Sequence, residues 1–309
     1  MIQSFSDLYT AVERLPRAVL AVAVAQDKDV LRAVDNAHRR GIVNAILVGD
    51  RTEICRIAGE EQIDLSPYSI VHEADREEAC RRTVDLVACG QAEMPMKGFV
   101  DTSVFLKAVL RRDGGLACGH LISHVGLLAV KSHGRMFLVT DSAMNIAPTL
   151  AEKAAIIRNA VTVARALGND CPRVAVLCAV ERPDPKMPAT LDAAALTEMN
   201  RRGEIGGCAV YGPLAMDNAV SSKAARHKGI HHPVAGHADI LLAPDIEAGN
   251  ILNKSMEYFA AAEKAGVIMG AKVPVVLTSR ASSDAAKMNS IALSVLTAAG
   301  MRADGNSVL

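Results

Sequence analysis

The sequence predicts an α/β fold, and three observations carry that prediction. Short apolar runs alternate with longer amphipathic stretches from end to end, the most apolar runs are continuous rather than alternating, and small or charged residues recur where the runs stop. Continuous apolar runs suit strands of a mostly parallel sheet with helices on both faces. In chain order, residues 19–25, 45–48, 69–72, 137–140, 174–180, 240–243 and 275–278 read as strands. The first of these, VLAVAVA, shows the pattern most plainly. Residues 28–40, 76–89, 103–112, 150–167, 193–202, 250–265 and 283–299 read as helices. Ligand sites in such folds gather at the carboxyl ends of strands. The ends here are Gly49-Asp50, Lys97-Gly98, Thr140-Asp141, Ala243-Pro244-Asp245 and Thr278-Ser279-Arg280.

Composition narrows the function. The chain has 309 residues, half of them hydrophobic, with 3% aromatic residues and no Trp, which suits a large buried core and excludes disorder. Length favours two domains or one large α/β unit. Thirty-four basic residues balance 34 acidic ones, so no global field favours nucleic acid or an anionic membrane. An anion must be caught locally. Residues 1–13 carry no basic segment followed by an apolar one, and the longest apolar run, 18–25, falls short of the roughly 20 residues that cross a bilayer. The seven Cys are odd in number and contain no Cys-x-x-Cys pair, which points to reduced thiols in a cytoplasmic protein rather than to disulfides or zinc. No repeat or long linker marks a domain boundary, and the Pro-rich stretch 182–188 reads as a surface or cleft loop.

The G-x-x-x-x-G-K-[ST], G-x-G-x-x-G, H-E-x-x-H and G-x-S-x-G motifs are absent. Five polar clusters remain. In the first, Lys97-Gly98 precedes Asp101, Thr102 and Ser103, which read either as an anion cradle or as ordinary caps beside a surface Lys. In the second, Asp141 and Asn145 leave an apolar run before Pro148-Thr149 opens a long helix, and turn capping is the alternative reading. Asp217-Asn218 with Ser221 to Lys223 has the same two readings. Residues 221–237 hold Lys223, Arg226, His227, Lys228, His231, His232 and His237, either a phosphate-binding or a solvated basic segment. Gly229 and Pro233 argue against a helix that would set His227 and His231 on one face for a metal. In the fifth, Ser279-Arg280 follows the apolar run 273–277 and opens the last helix, where a guanidinium fork and free N–H groups suit a phosphoryl group.

These motifs together resemble the phosphate acetyltransferase and phosphate butyryltransferase family. The resemblance is carried by Gly212-Pro-Leu-Ala-Met-Asp217-Asn218, Pro233-Val-Ala-Gly236, Ala243-Pro244-Asp245 with Gly249-Asn250, Thr278-Ser279-Arg280, the Lys97-Gly98 cluster, and Asp141 to Thr149. The Met-Lys-Gly form of the Lys97 cluster is nearer the butyryl branch. The resemblance implies two three-layer α/β domains with an interdomain cleft, similar to isocitrate and isopropylmalate dehydrogenases. Domain one would comprise 1–130 plus 270–309, and domain two would comprise 131–269. It further implies a homodimer or larger even-numbered homo-oligomer, with no tightly bound cofactor, no metal, and coenzyme A as a substrate.

The implied activity interconverts a short-chain acyl-CoA and phosphate with an acyl phosphate and CoA, by direct attack in a ternary complex. The family's Ser-Arg pair matches Ser279 and Arg280, giving Arg280 to the phosphoryl group and Ser279 to the reacting carbonyl or sulfur. Lys97, Thr102 and Ser103 are candidates for further phosphate contacts, and Asp141, Asn145, Asn218, Asp245 and Asn250 for lining a cleft or binding CoA. The acetyl branch places a carboxylate seven positions after the motif Ser, where this chain has Ala286. Asp284 is the nearest carboxylate, turned about 200° away at about 100° per residue, and His124 is a further candidate. Two alternatives stand beside this activity. One is a metal- and NAD-dependent decarboxylating dehydrogenase, which would need clustered Asp ligands; the other is a catalytically silent acyl-CoA or acyl-phosphate sensor.

Overall fold

The computed structural model describes residues 1–303 and 305. Its chain divides into two compact units, one of Phe5–His120 with Ala265–Leu309 and one of Met1–Ser4 with Leu121–Lys264. Residues 304 and 306–309, expected to end domain one, lie outside the described residues.

In the first unit the elements are α1 (Phe5–Val12), β1 (Ala18–Ala23), α2 (Lys28–Arg39), β2 (Val43–Gly49), α3 (Arg51–Glu60), β3 (Ser69–His72), α4 (Arg76–Ala88), β4 (Met94–Lys97) and α5 (Thr102–Val109). The last helix of the chain, α11 (Asp284–Ala303), also belongs here. The strands run in the order β3-β2-β1-β4, and every pairing is parallel. In β1, Leu20 to Ala23 are all fully buried, which explains why this strand reads as a continuous apolar run. Asp27, Asp50 and Asp75 cap α2, α3 and α4 by accepting backbone N–H groups, so these three strand-to-helix junctions are closed by a carboxylate. Helix α11 packs on α2 and α1, while α4 packs on α5 and β1.

The second unit contains β5 (Ser123–Val130), β6 (Arg135–Thr140), α6 (Leu150–Ala166), β7 (Arg173–Leu177), α7 (Pro188–Arg201), β8 (Ala209–Leu214), α8 (Met216–Val220), α9 (Ser222–His227), β9 (Ile240–Leu242) and α10 (Ile246–Phe259). The segment β10 (Glu263–Met269) leads from this unit into the first. Strand order is β5-β6-β9-β7-β8, antiparallel between β5 and β6 and parallel elsewhere. The β5–β6 hairpin pairs Val130 with Arg135, so both strands fall in one unit, which takes up the chain again at Leu121. The core gathers Phe137, Val139, Ala175, Leu177, Leu214 and Leu241 between the sheet and the helices that cover it.

Several elements differ from the sequence reading. Residues 275–278 form no named strand: Val276 bridges Met96 in parallel, Val275 bridges Ile268, and the chain then turns away. Helix α7 starts at Pro188, five residues before the expected 193, because Pro is well placed in a first turn. Helix α10 runs 246–259 rather than 250–265, since the Asp245 carboxylate accepts from Ala248 N at 2.8 Å and starts the helix early. Helix α9 ends at His227, and Gly229 at φ +69° turns the chain, so His231 does not follow one helical turn later.

Two expected outcomes follow from the packing. A Cβ on Gly98 would lie 2.3 Å from both the Ala23 and Val24 carbonyl oxygens, which are backbone and cannot rotate away. Gly98→Ala is therefore expected to lower unfolding free energy by about 1–3 kcal/mol in urea titration. In the second unit, burial would raise the Asp239 carboxyl, but hydrogen bonds from the Arg173 side chain and backbone outweigh it and hold the group below its usual range. A depressed carboxyl contributes stability above its unfolded pKa and loses it as pH falls through the folded value. Asp239→Asn should cost about 1–3 kcal/mol at neutral pH, and the gap to wild type should close below about pH 4 in acid titrations of stability.

Candidate functional site

The Ser279-Arg280 turn is positioned by strand pairing. Lys97 N donates to Val276 O and Val276 N to Pro95 O, each at 2.9 Å, in parallel register. Two parallel segments leave a sheet in the same direction, so the 97–103 loop and the 278–284 turn lie at one rim. Arg280 Nη2 meets Asp101 Oδ1 at 3.0 Å, with both side chains exposed. Asp101 is the residue before α5, yet it makes no side-chain cap bond. Thr102 and Ser103 begin α5 and so present first-turn N–H groups on the same rim.

Lys97 is 2% exposed, which corrects the reading of it as a possible surface side chain. Its Nζ donates to Gly98 O at 3.2 Å and Val100 O at 3.0 Å. Burial, followed by the nearby charges of Arg280 and Lys287, lowers it to about 8, with Asp101 and Cys80 opposing. Ser279 is exposed, and its Oγ accepts from Ala281 N at 3.3 Å, which fixes the turn. Asp284 opens α11 and its Oδ1 accepts from Ala285 N at 2.8 Å. Ala286, at the position of the acetyl-branch carboxylate, is buried.

Lys287 escaped the sequence reading. Its ammonium donates to Ser282 O, and it is as buried as Lys97. The signal was present, because Lys287 shares a helical stripe with Ile291, Ser294 and Ala298, all buried. A charged residue on an apolar stripe is the informative exception.

In the other unit, the Asp141 carboxylate accepts four donors at the end of β6: Ala143 N at 2.8 Å, Met144 N at 3.0 Å, Asn145 Nδ2 at 2.6 Å and His124 N at 3.3 Å. Asn250 Nδ2 reaches Ser142 O at 3.2 Å, and a Cβ on Gly249 would strike Asp141 O at 2.3 Å. Asp141, Asn145 and Asn250 are thus brought together where α10 begins. His124 Nδ1 lies 3.0 Å from Ser142 Oγ, and burial holds the ring below its usual pKa despite the pull of Asp141, so it stands neutral.

Asn218 lies apart from that group, fully buried on α8, with Nδ2 donating to Glu181 Oε1 at 2.6 Å. Its Oδ1 has no partner among the described residues. Glu181 also takes Lys228 Nζ at 2.5 Å beside a pocket of about 630 Å³ that Arg182, Tyr211, His231 and His232 help to line. Asp245 borders a second, apolar cavity of about 450 Å³ with Leu177, Met187, Pro188, Ala248 and Leu252. Pro188 on this cavity wall opens α7, so the Pro-rich stretch ends in a helix start. Among the described residues, no group of three or more His, Cys, Asp or Glu is arranged to hold a metal, and no helix is long and apolar enough to cross a membrane.

Comparison with known proteins places this geometry in a family. The family model described as phosphate acetyl/butaryl transferase matches residues 5–85 and 72–295. A phosphate butyryltransferase of Clostridium acetobutylicum is 47% identical over 96% of this chain and 99% of its own. A phosphate acetyltransferase of Thermotoga maritima is 44% identical over 90% of this chain and 95% of its own. The crystal structure of a branched-chain phosphotransacylase from Enterococcus faecalis V583 superposes with a TM-score of 0.80 at 34% identity, covering 91% of this chain and 99% of that one. The chain belongs to the phosphate acetyl/butaryl transferase family.

Proposed function

We propose that this protein is a phosphate acyltransferase that interconverts a short-chain acyl-CoA and phosphate with an acyl phosphate and free CoA, with butyryl the favoured acyl group. The observation that carries the reading is the Ser279-Arg280 turn set by strand pairing beside the Lys97 loop, in a chain 47% identical to a phosphate butyryltransferase. In the direction of acyl transfer to CoA, the thiolate forms a bond to the acyl carbonyl carbon, a tetrahedral oxyanion follows, and the carbon–oxygen bond to phosphate breaks. The proton taken from the thiol is returned to the departing oxygen, so phosphate leaves as the dianion. Preorganised donors act on the charge that develops in this step.

Arg280 is assigned to the phosphoryl oxygens, which its fork matches, and phosphate displaces the Asp101 carboxylate to reach it. Ser279 is assigned a hydrogen bond to the carbonyl or sulfur, and Lys97, Thr102 and Ser103 add positive potential and N–H donors at the same rim. Asp284 is assigned proton acceptance from the thiol, whose free pKa of about 8.5 makes the demand modest. Asp141, Asn145, Asn218, Asp245 and Asn250 are assigned to a cleft that holds CoA, with Asp141 shaping its loop. CoA is a substrate and no tightly bound cofactor is required. The two units are assigned to two domains related to those of isocitrate and isopropylmalate dehydrogenases. We place the enzyme in the cytoplasm, a reading supported by seven free cysteines. A homo-oligomer is supported by an exposed apolar set on and near α10, Ile146, Ile251, Tyr258 and Phe259, the last 91% exposed.

The test is acyl phosphate-dependent acylation of CoA, followed by thioester absorbance. Turnover is expected with butyryl phosphate above acetyl phosphate. Arg280→Ala should lower kcat/KM about 100–1,000-fold, and Arg280→Lys should recover part of that loss. Folded wild-type protein that turns over neither substrate would return the reading to a sensor or a dehydrogenase.

A further inference from the structure

The sheet of the second unit reverses its order between β7 and β9. These strands are parallel neighbours, with Ala175 opposite Leu241 and Val176 opposite Leu242. From β7 the chain crosses through α7 to β8 at one edge, whereas the chain leaving β9 enters α10, which packs on β5 and β6 toward the other edge. The two connections diverge and leave a crevice between the carboxyl ends. Open α/β sheets bind their ligands at such a point.

The apolar cavity of about 450 Å³ lies in that crevice. Its walls come from the end of β7 (Leu177, Cys178), from the residues just past β9 (Ala243, Pro244), and from the starts of α7 and α10, where Met187 and Leu252 face it. The volume falls within the roughly 300–1,000 Å³ of small-molecule sites. The fold already engages the polar side chains of the wall. Cys178 Sγ donates to Ala189 O at 3.4 Å, Thr190 Oγ1 donates to Met187 O at 2.7 Å, and Asp245 Oδ1 accepts from Ala248 N at 2.8 Å.

Among the described residues, Asp245 is the only charged member of the lining. Its carboxylate keeps an anionic head group from entering, and its place at the positive end of α10 offsets the attraction it would exert on a cation. What the cavity can take is an uncharged aliphatic chain, with any polar end left at the mouth. Met187 gives α7 no side-chain cap bond, so first-turn N–H groups stand beside that mouth for an acyl oxygen.

We propose that this cavity binds the short aliphatic chain of an acyl compound, and that Ala248 and Leu252, one helical turn apart on α10, set the chain length it accepts. The acyl group of the substrate and a free carboxylic acid share this chemistry. The cavity lies within one unit, and the inference goes beyond the acyl-transfer reading without depending on it.

The test begins with saturation-transfer NMR of the full-length protein with acetate, butyrate and hexanoate. Affinity should rise about fourfold per added methylene until the cavity is full. Ala248→Leu fills the cavity and should weaken hexanoate binding at least about tenfold with acetate little changed, whereas Leu252→Ala enlarges it and should move the preference to longer chains. Two variants acting in opposite directions, each checked for folding by circular dichroism, separate a reshaped cavity from a damaged fold. The chain-length selectivity of kcat/KM with acetyl, butyryl and hexanoyl phosphate then distinguishes the sources. Selectivity that moves with the two variants assigns the chain to the substrate, and hexanoate binding that moves while selectivity stays fixed assigns it to a free acid. If neither hexanoate binding nor selectivity depends on the two variants, the inference is overturned, and turnover of the acyl phosphates leaves acyl transfer standing. Protein that turns over none of the acyl phosphates, yet loses hexanoate in Ala248→Leu, would remove the acyl-transfer reading and keep this inference.

Discussion

An ammonium buried at the end of a parallel strand must find oxygen, because an uncompensated charge in the interior costs several kcal/mol. Lys97 finds it in its own downstream loop, at Gly98 O and Val100 O. For those carbonyls to turn back, the chain must cross directly over the end of β1. Gly98 N and Phe99 N donate to Ala23 O and Val24 O at 2.8 and 2.9 Å, which leaves no room for a Cβ at residue 98. Val24 meets the loop with a φ of +51°, a conformation that a β-branched residue rarely adopts. Once the loop is folded this way, Asp101 arrives beside Arg280 and its side chain leaves the first turn of α5 uncapped. The burial of one side chain thus organises the rim on which the proposed chemistry takes place.

The other unit solves the mirror-image problem. Asp141 ends β6 and is 3% exposed, so its carboxylate must collect N–H groups rather than carbonyls. Two come from Ala143 and Met144 in the following turn, one from the Asn145 amide and one from His124 across the sheet. Four donors occupy the acceptor positions of the carboxylate. They make it a rigid post, against which the start of α10 fits because Gly249 has no side chain. In both units the polar residues at strand ends are anchored first, and any contact with ligand is built on that anchoring.

The sequence revealed the alternation of strands and helices because burial on both faces of a parallel sheet removes polar residues from strands such as β1. It revealed less where this signal is diluted. Strand β4 is four residues long and contains Pro95, and β5 contains His124 and Gly126, so neither reads as an apolar run. Helix α1 was hidden in a polar start whose apolar residues, Phe5, Leu8 and Val12, keep helical spacing. At the candidate site, the Ser279, Arg280, Lys97 and Asp141 positions were legible as polar residues at strand ends. Glu181, the partner of Asn218 and Lys228, was not, because its role depends on contacts 37 and 47 residues away in sequence. Lys287 was missed because a helical Lys is usually solvated, and only the burial of its stripe shows otherwise.

The loss of the acetyl-branch carboxylate at position 286 fits this electrostatic setting. Ala286 is buried on the helix that also carries Lys287 inward, so an acid there would be drawn into pairing with the lysines. Such pairing would cancel the charge that favours a phosphate dianion. Without it, the cationic rim keeps its potential, and nearby cations lower the pKa of a thiol as well as binding an anion. A CoA thiol starts near pKa 8.5, so a modest positive potential populates the thiolate with no dedicated base of high strength. On the proposed reading, the cationic rim acts on both partners of the reaction, the attacking thiolate and the departing phosphate. An enzyme that uses potential in this way needs its cations held rigidly. Lys97, which donates to two backbone carbonyls that do not cancel its charge, is held in that way.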